Sequence, residues 1–314
     1  MKEINYDKTT KMLKGFPEIK KLGAVNRSGE MTPFVHKGRL MRMELMDPTR
    51  GLGTLNEAGE RPTVLACIRD VEKNEILSYT GEGCYFYAAY VEDDVVYITG
   101  VVMEHRDTIR IFKSEDLIHW ESWDLFTRPG WTYYNTGLTK GPDGYVLLME
   151  CSSPKEIVGV PFTHFFASSP DLRNWSFFDN EKSSSKDYYT GGPWLRYSEG
   201  YYYMFVVGHI PTRRYSNLLY RSKDLENWEV GYYNPILMPS NDDRLISPNC
   251  TETDPAFFEE IKTGFISNNS DIDMCDWQGK TYINYLVGNQ MGFYYMAEAE
   301  YDGTVAEFLA ANFE

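Results

Sequence analysis

The stretch Ser169-Pro170-Asp171-Leu172-Arg173-Asn174-Trp175 follows a pattern that occurs three times in the chain: Ser, any residue, Asp-Leu, any two residues, Trp. The other copies run from Ser114 to Trp120 and from Ser222 to Trp228. Successive tryptophans are therefore 55 and 53 residues apart. A repeat of roughly 50 residues is typical of structural units that stack against one another, such as propeller blades.

Each copy lies between two stretches with the composition of β-strands. An aromatic or β-branched stretch precedes it, as in residues 108–112, 163–167 and 217–220, and a stretch led by Trp follows it. In such a turn the Asp can accept hydrogen bonds from nearby backbone amides, while Leu and Trp can bury apolar area against the adjoining blade. We interpret the pattern as the turn between the two outer strands of a blade, with a structural role only.

Five hairpins of apolar strands occupy most of the remaining chain. Their turns lie at residues 36–38, 92–94, 142–144, 198–200 and 278–279. The residue types of Pro142-Asp143-Gly144 favour a turn, because Pro presets its own φ angle and Gly accepts a positive φ angle. The sequence predicts an all-β fold, a five-bladed β-propeller that forms one domain over residues 1–314. Residues 1–25 are expected to be a lead-in segment packed on the outside, and residues 255–261 a short helix.

Composition limits the partners. The 314 residues carry a formal net charge of −15 and no basic run, which argues against nucleic acid as a ligand. Residues 1–8 lack the apolar core of a signal peptide, and no apolar run reaches membrane-spanning length, so we expect a cytoplasmic protein without membrane contact. The five cysteines are scattered, and none belongs to a C-x-x-C pair; buried free thiols are expected.

Polar residues recur where the inner strands of each hairpin meet the channel. In a propeller the innermost strands surround a central channel, and a hairpin places the start of its first strand beside the end of its second. The second strands end at Glu44, Glu104, Glu150, His209 and Asn289. The first strands begin around Glu30 and Thr32, Glu82, Asn135, Gly191, and Asp271 with Asp273. We expect these residues to ring one mouth of the channel.

A ring of carboxylates in a concave, aromatic-rich site suits the hydrolysis of sugars. One carboxyl group must stay protonated to donate to the leaving oxygen, and another must be ionised to activate water. Crowding acids in a partly dry pocket separates their pKa values in this way. A second cluster contains Arg213 and Arg214, with Arg244 downstream; these arginines could bind a carboxylate or phosphate of a ligand or could pair with the chain's surplus acids.

The blade pattern resembles the five-bladed propeller glycosidases, chiefly glycoside hydrolase family 43 and relatives including family 117. Besides the three turns, the resemblance rests on Gly192-Pro193 ahead of Tyr201-Tyr202-Tyr203, and on Asn269-Ser270 ahead of Gly279-Lys280-Thr281-Tyr282. It implies cleavage of arabinose- or xylose-containing glycans with inversion, by an Asp base, an auxiliary Asp and a Glu acid.

The family's three acid positions carry other residues here. They fall on Thr32, Asn135 and Gly191, none of which is ionisable. We therefore expect a divergent glycosidase that uses other members of the ring. Glu30 and Asp273 are the candidate bases, and Glu150 and His209 the candidate acids, His209 because relatives are implied to use a His. The expected substrate-binding residues are Glu44, Glu104, Asn135, Arg213, Arg214, Asp271 and Asn289.

Three other functions stay open at this stage. A non-catalytic carbohydrate-binding propeller predicts affinity without turnover, a phosphorylase would place phosphate on Arg213, Arg214 and Arg244, and a scaffold would use the outer face. The expected partner is a small plant- or algal-type oligosaccharide with arabinosyl, xylosyl, galactosyl or uronyl linkages. No cofactor is predicted, although Asp271 and Asp273 could supply oxygen ligands to calcium. Whether the protein forms an oligomer stays open.

Overall fold

The structure is a computed structural model that describes residues 16–47, 64–179, 187, 189–210 and 214–313. Within these residues, β-strands form five four-stranded antiparallel sheets, arranged as the blades of a ring. The fold is the five-bladed β-propeller that the sequence predicts.

In the first four blades the strands follow chain order from the channel outward. Blade 1 contains β2 (Met31–His36), β3 (Arg39–Met46), β4 (Leu65–Asp70) and β5 (Glu75–Thr80). Blade 2 contains β6 (Cys84–Glu92), β7 (Val95–Val102), β8 (Thr108–Ser114) and β9 (Glu121–Thr127). Blade 3 contains β10 (Thr132–Gly141), β11 (Gly144–Ser153), β12 (Thr163–Ser169) and β13 (Ser176–Phe177). Blade 4 contains β14 (Thr190–Ser198), β15 (Tyr201–Ile210), β16 (Arg214–Ser222) and β17 (Glu229–Val230).

Blade 5 joins the two ends of the described chain. Its three inner strands are β18 (Asn268–Trp277), β19 (Lys280–Gly288) and β20 (Tyr294–Tyr301), and its outermost strand is β1 (Lys20–Asn26). Because a strand from the beginning of the chain completes the last blade, backbone hydrogen bonds close the ring. Of the predicted lead-in segment, residues 20–25 belong to this outermost strand, and residues 1–15 lie outside the described part of the chain. Two bulges interrupt the pairing of β1 with β20, which explains the lack of strand alternation in its sequence.

The three repeated turns have the predicted geometry. In the turn that follows β16 of blade 4, the Ser222 hydroxyl accepts from the Leu225 backbone amide at 2.9 Å. Asp224 Oδ1 accepts from the backbone amides of Glu226 at 2.9 Å and Asn227 at 2.8 Å. Leu225 is buried and has a left-handed backbone with φ of 63°. The Trp228 ring stacks on Phe166 of blade 3, with ring centroids 5.8 Å apart. The tryptophans of the other two copies likewise contact the preceding blade, Trp120 through Ser78 and Trp175 through Phe126, so the repeat ties blades 2, 3 and 4 each to the one before.

The described helices lie outside the ring. They are α1 (Lys155–Val158), α2 (Pro255–Thr263), α3 (Val305–Ala311) and a 3₁₀ turn (Asn241–Arg244). Helix α2 confirms the short helix that the sequence predicts, and α3 was not foreseen. Phe257 of α2 and Phe308 of α3 are buried in an apolar cluster together with Trp194 of blade 4 and Tyr285 of blade 5. None of the helices in the described ranges is long and apolar enough to cross a membrane.

Candidate active site

The innermost hairpins of blades 2 to 5 share one irregularity, a β-bulge of one extra residue in the first strand. In blade 5, three steps along β18 separate Ser270 from Asp273, whereas their partners Leu286 and Asn284 are two residues apart. The equivalent bulges span residues 85–88, 133–136 and 191–194. A bulge bends its strand and changes the direction of the side chains that follow.

The first bulged residue has a left-handed backbone in three of these four blades. The φ angles are 59° at Phe86, 56° at Gly192 and 49° at Asp271. Such a conformation costs a residue other than glycine about 1–3 kcal/mol, and it persists where the surrounding structure imposes it. The bulges thus set the backbone positions at the mouth of the channel.

A cleft opens at this mouth, with an empty volume of about 1240 Å³ that includes the part open to solvent. Three carboxyl groups from three blades line it: Glu30 just before β2, Glu150 on β11 and Asp271 on β18. Seven aromatic side chains form its walls: Tyr85, Phe86, Tyr134, Phe162, Tyr189, Phe293 and Tyr294. Apolar walls around a few convergent polar groups are typical of a binding site for a small molecule.

Glu150 is the most buried of the three acids, with 3% of its surface exposed. Its Oε2 accepts from Asn135 Nδ2 at 2.8 Å and from the Gly192 amide at 2.9 Å. Burial disfavours the charged form and, with the negative charge of Asp271, outweighs these hydrogen bonds, so the pKa of Glu150 is raised to about 7. Glu150 can therefore carry a proton at neutral pH.

Glu30 is held by the bulge of blade 2. Its Oε2 accepts from the Tyr87 amide at 2.7 Å, and the Phe86 amide gives a further hydrogen bond to the carboxylate. Burial, and the negative charges of Asp271 and Glu150, raise the pKa of Glu30 well above its usual range. The mutual effect of the three charges means that they cannot all be ionised together without a large electrostatic cost.

Asp271 stands next to Gly192. A Cβ atom added to residue 192 would lie 2.5 Å from Asp271 Oδ1, so only glycine fits between the two acids Asp271 and Glu150. The Ser270 hydroxyl donates to Asp271 Oδ2 at 2.5 Å, which opposes the increase in the Asp271 pKa caused by burial. Since an aspartate also starts from a lower pKa than a glutamate, Asp271 is the first of the three acids to ionise.

Asp273, a candidate base, lines a smaller inner cavity together with two of the three cleft acids, Glu30 and Asp271. Its Oδ1 accepts from Trp194 Nε1 and from the Met274 amide, both at 2.7 Å. Burial raises its pKa to about 6. These bonds give Asp273 a structural role in joining blades 4 and 5. Among the described residues, no group of three His, Cys, Asp or Glu side chains is arranged to hold a metal ion.

Glu44 does not lie at the mouth, although its position in the hairpin matches that of Glu150. Its carboxylate accepts from Arg42 at 2.7 Å and from Arg69 Nε at 2.9 Å, and both Arg42 and Glu44 are buried. Glu298 of blade 5 lies 3.6 Å from the Arg42 guanidinium. Glu44 thus belongs to a buried ion network between blades 1 and 5, and its predicted contact with a substrate stays a prediction.

Three other predicted residues lie at the margin of the cleft or away from it. Glu104 follows the end of β7 and is exposed beside His105. His209 is exposed, and its ring is 5.0 Å from that of Tyr215, which in turn contacts Tyr189 of the cleft wall. Asn289 bonds within its own loop rather than facing the cavity. From the predicted set, Glu30, Asn135, Glu150 and Asp271 line the cleft, and Glu30, Asn135, Asp271 and Asp273 line the inner cavity.

The predicted arginine cluster is not assembled in the described residues. Arg213 lies outside them, and only the backbone of Arg214 is described, as part of β16. Arg244 donates to the carbonyl oxygens of Ile261, Lys262 and Gly264, at the end of helix α2. Arg244 thus caps the end of helix α2, and a phosphate site on Arg213, Arg214 and Arg244 stays a prediction.

The sequence predicts an aromatic-rich site, but not which aromatic side chains form its walls. A signal was present: aromatic residues directly precede or follow the predicted polar positions, as Tyr133 and Tyr134 precede Asn135. The second omission was the Gly192 amide, whose role depends on a bulge and on the adjacent blade.

Many solved structures share this fold. No protein-family model matches the chain, and no curated protein matches it. A structure described as a glycoside hydrolase aligns with a TM-score of 0.63 and 12% identity over 95% of this chain and 96% of that one. A thermostable family-43 glycoside hydrolase aligns with a TM-score of 0.58 and 12% identity over 88% and 90%. The GH62 α-L-arabinofuranosidase of Coprinopsis cinerea aligns with a TM-score of 0.59 and 8% identity over 93% and 99%. The resemblance seen in the sequence is confirmed at the level of the fold.

Proposed function

We propose that this protein is a glycoside hydrolase that acts on a plant- or algal-type oligosaccharide. The observation that carries the proposal is the convergence of Glu30, Glu150 and Asp271, from three blades, in one aromatic cleft. The fold shared with glycoside hydrolases of families 43 and 62 supports it. A binding site for sugars needs no such group of mutually repelling acids, whereas hydrolysis of a glycosidic bond needs two carboxyl groups in different protonation states.

In this proposal Glu150 is the general acid. A pKa of about 7 leaves a substantial fraction of the carboxyl groups protonated near neutrality, and an acid is most effective when its pKa is near the working pH. Asn135 and the Gly192 amide fix the orientation of the carboxyl group through Oε2, so Oε1 remains to donate the proton to the leaving oxygen.

Asp271 is the general base. Of the three acids it ionises first, because an aspartate has the lower intrinsic pKa and because the Ser270 hydroxyl stabilises its charged form. It activates the water that attacks the anomeric carbon, and the reaction then inverts the configuration of that carbon. Glu30, kept neutral by burial and by its two acidic neighbours, completes the cluster as a hydrogen-bond donor to the substrate.

The test is turnover of aryl arabinofuranosides, xylosides, galactosides and uronides and of plant-derived oligosaccharides. Wild type would be compared with Glu150→Gln, Asp271→Asn and Glu30→Gln, and with the surface control Glu104→Gln. We expect each of the first two substitutions to lower kcat by roughly 100- to 10,000-fold, and Glu104→Gln to leave it unchanged. NMR of the first-formed anomer tests inversion. Dependence of turnover on phosphate would identify a phosphorylase instead.

A carbohydrate-binding propeller without activity is the second candidate. One observation favours it: the family's acid positions fall on Thr32, Asn135 and Gly191. Binding of oligosaccharides by calorimetry, with no turnover across the whole panel, would establish this alternative and contradict the hydrolase.

A further inference from the structure

Residues 289–294 form one wall of the cleft. They comprise the loop between β19 and β20 and the first residue of β20, and four of them line the cavity: Gln290, Gly292, Phe293 and Tyr294. Both ends of this loop are fixed in the sheet of blade 5. The loop residues and the acids line the same cleft.

Asn289 holds the loop closed. Its Oδ1 accepts from the backbone amides of Met291 at 2.8 Å and of Phe293 at 3.4 Å. The backbone amide of Asn289 donates to the Phe293 carbonyl oxygen at 3.1 Å. The side-chain oxygen of Asn289 is thus engaged within the loop.

Gln290 is the residue that this arrangement presents to the cleft. Its backbone is left-handed, with φ of 58°, a conformation that costs energy in a residue with a side chain. Its side chain is exposed. The next residue, Met291, is 67% exposed and is absent from the cleft lining. The strained turn therefore brings a polar side chain to the cavity and turns its apolar neighbour away.

A carboxamide is suited to neutral sugars. It offers one accepting oxygen and two N–H donors, so it can pair with a hydroxyl group in either role. The rings of Phe293 and Tyr294 continue the same wall and give an apolar surface for the C–H face of a sugar ring. We propose that Gln290 is a specificity-determining residue, which hydrogen-bonds the hydroxyl groups of a neutral sugar unit next to the unit held by the acids, and that Asn289 positions it. This inference rests on the proposed function.

The first experiment compares Gln290→Ala with its neighbour control Met291→Ala. For an oligosaccharide substrate we expect Gln290→Ala to raise KM by roughly three- to tenfold, the effect of one lost neutral hydrogen bond, with kcat almost unchanged. For a 4-nitrophenyl monoglycoside, which has no second sugar, neither variant should change KM. Equal KM values for both variants and wild type on the oligosaccharide would overturn the proposal.

A double-mutant cycle separates positioning from direct contact. If Asn289 acts through Gln290, Asn289→Ala should weaken binding, and adding it to Gln290→Ala should cause little further loss. If Asn289 itself contacts the sugar, as the sequence predicts, the two effects should multiply, and the positioning role assigned to it would be overturned.

Binding without turnover distinguishes this inference from the hydrolase itself. Calorimetry with xylotriose, arabinotriose and galactotriose would be carried out on Glu150→Gln, with and without Gln290→Ala. A three- to tenfold weaker affinity caused by Gln290→Ala supports the inference even where wild type shows no turnover. Turnover by wild type, together with an affinity that Gln290→Ala does not change, leaves the hydrolase standing and overturns the role of Gln290. If none of the three trisaccharides binds, the role of Gln290 is also overturned.

Discussion

The amide of Gly192 donates to Oε2 of Glu150 at 2.9 Å. The same residue leaves room for a second acid, because an added Cβ would lie 2.5 Å from Oδ1 of Asp271. One glycine on the bulge of blade 4 therefore orients one carboxyl group and admits another.

Substituting Gly192 with Ala should separate these acids. The methyl group would displace Asp271, and we expect kcat to fall by at least about 100-fold, as for loss of a general base. Gly279→Ala is the matched control, because Gly279 also has a positive φ, of 79°, but nothing lies within 4 Å of its added Cβ. Both variants should lose about 1–2 kcal/mol of stability from the left-handed backbone, and Gly192→Ala should lose more because its Cβ would also lie 2.7 Å from Val207 Cγ2. Only Gly192→Ala should lose activity. Equal kcat values for the two variants would contradict the role of Gly192.

The pH dependence of activity should report Glu150. As the acid, it must be protonated, so kcat should fall as the pH rises through about 7. Glu150→Gln should abolish this alkaline limb of the profile. A substrate with a good leaving group, such as a 4-nitrophenyl glycoside, needs less protonation and should lose less activity than an oligosaccharide. An alkaline limb that persists in Glu150→Gln would assign the acid to another residue.

Stability should also depend on Glu150. Its pKa is about 7 in the folded protein and about 4.5 when unfolded, so between these pH values the folded state binds more protons than the unfolded state. Linkage then requires the free energy of unfolding to decrease as the pH rises through this range, by about 3 kcal/mol for this group. Urea denaturation of wild type and Glu150→Gln at pH 4.5, 6 and 7.5 measures the difference. A constant difference between the two proteins would show that the Glu150 pKa is normal.

The Glu44 network should matter for folding and not for catalysis. Glu44→Gln leaves Arg42, which is completely buried, without its closest charged partner, and removal of one member of a buried pair costs about 3–5 kcal/mol. We expect that loss in urea denaturation, with kcat retained in the folded fraction. Glu104→Gln, on an exposed acid, should change neither quantity. Loss of kcat without loss of stability would restore Glu44 to the site.

Glu44 and Glu150 show how far the sequence could separate structural from functional acids. Each lies six residues after the glycine of its hairpin turn, Gly38 or Gly144. Two residues before Glu44 is Arg42, paired across the sheet with Arg69, whereas two residues before Glu150 is Leu148, paired with Phe166. Side chains two apart share one face of a strand, so the arginines beside Glu44 were a readable signal of an ion network.

The five-bladed architecture and the blade turns could be predicted from the chain alone, because they depend on local turn chemistry and strand alternation. Which acids meet depends instead on contacts between blades. Asp271 and Asp273 are two residues apart and would share one face of a regular strand. With the bulge between Ser270 and Asp273, both line the inner cavity, but only Asp271 also lines the cleft, while Asp273 accepts a hydrogen bond from Trp194. A bulge is stabilised by the neighbouring strands and blades, and no local pattern in the sequence encodes that contact.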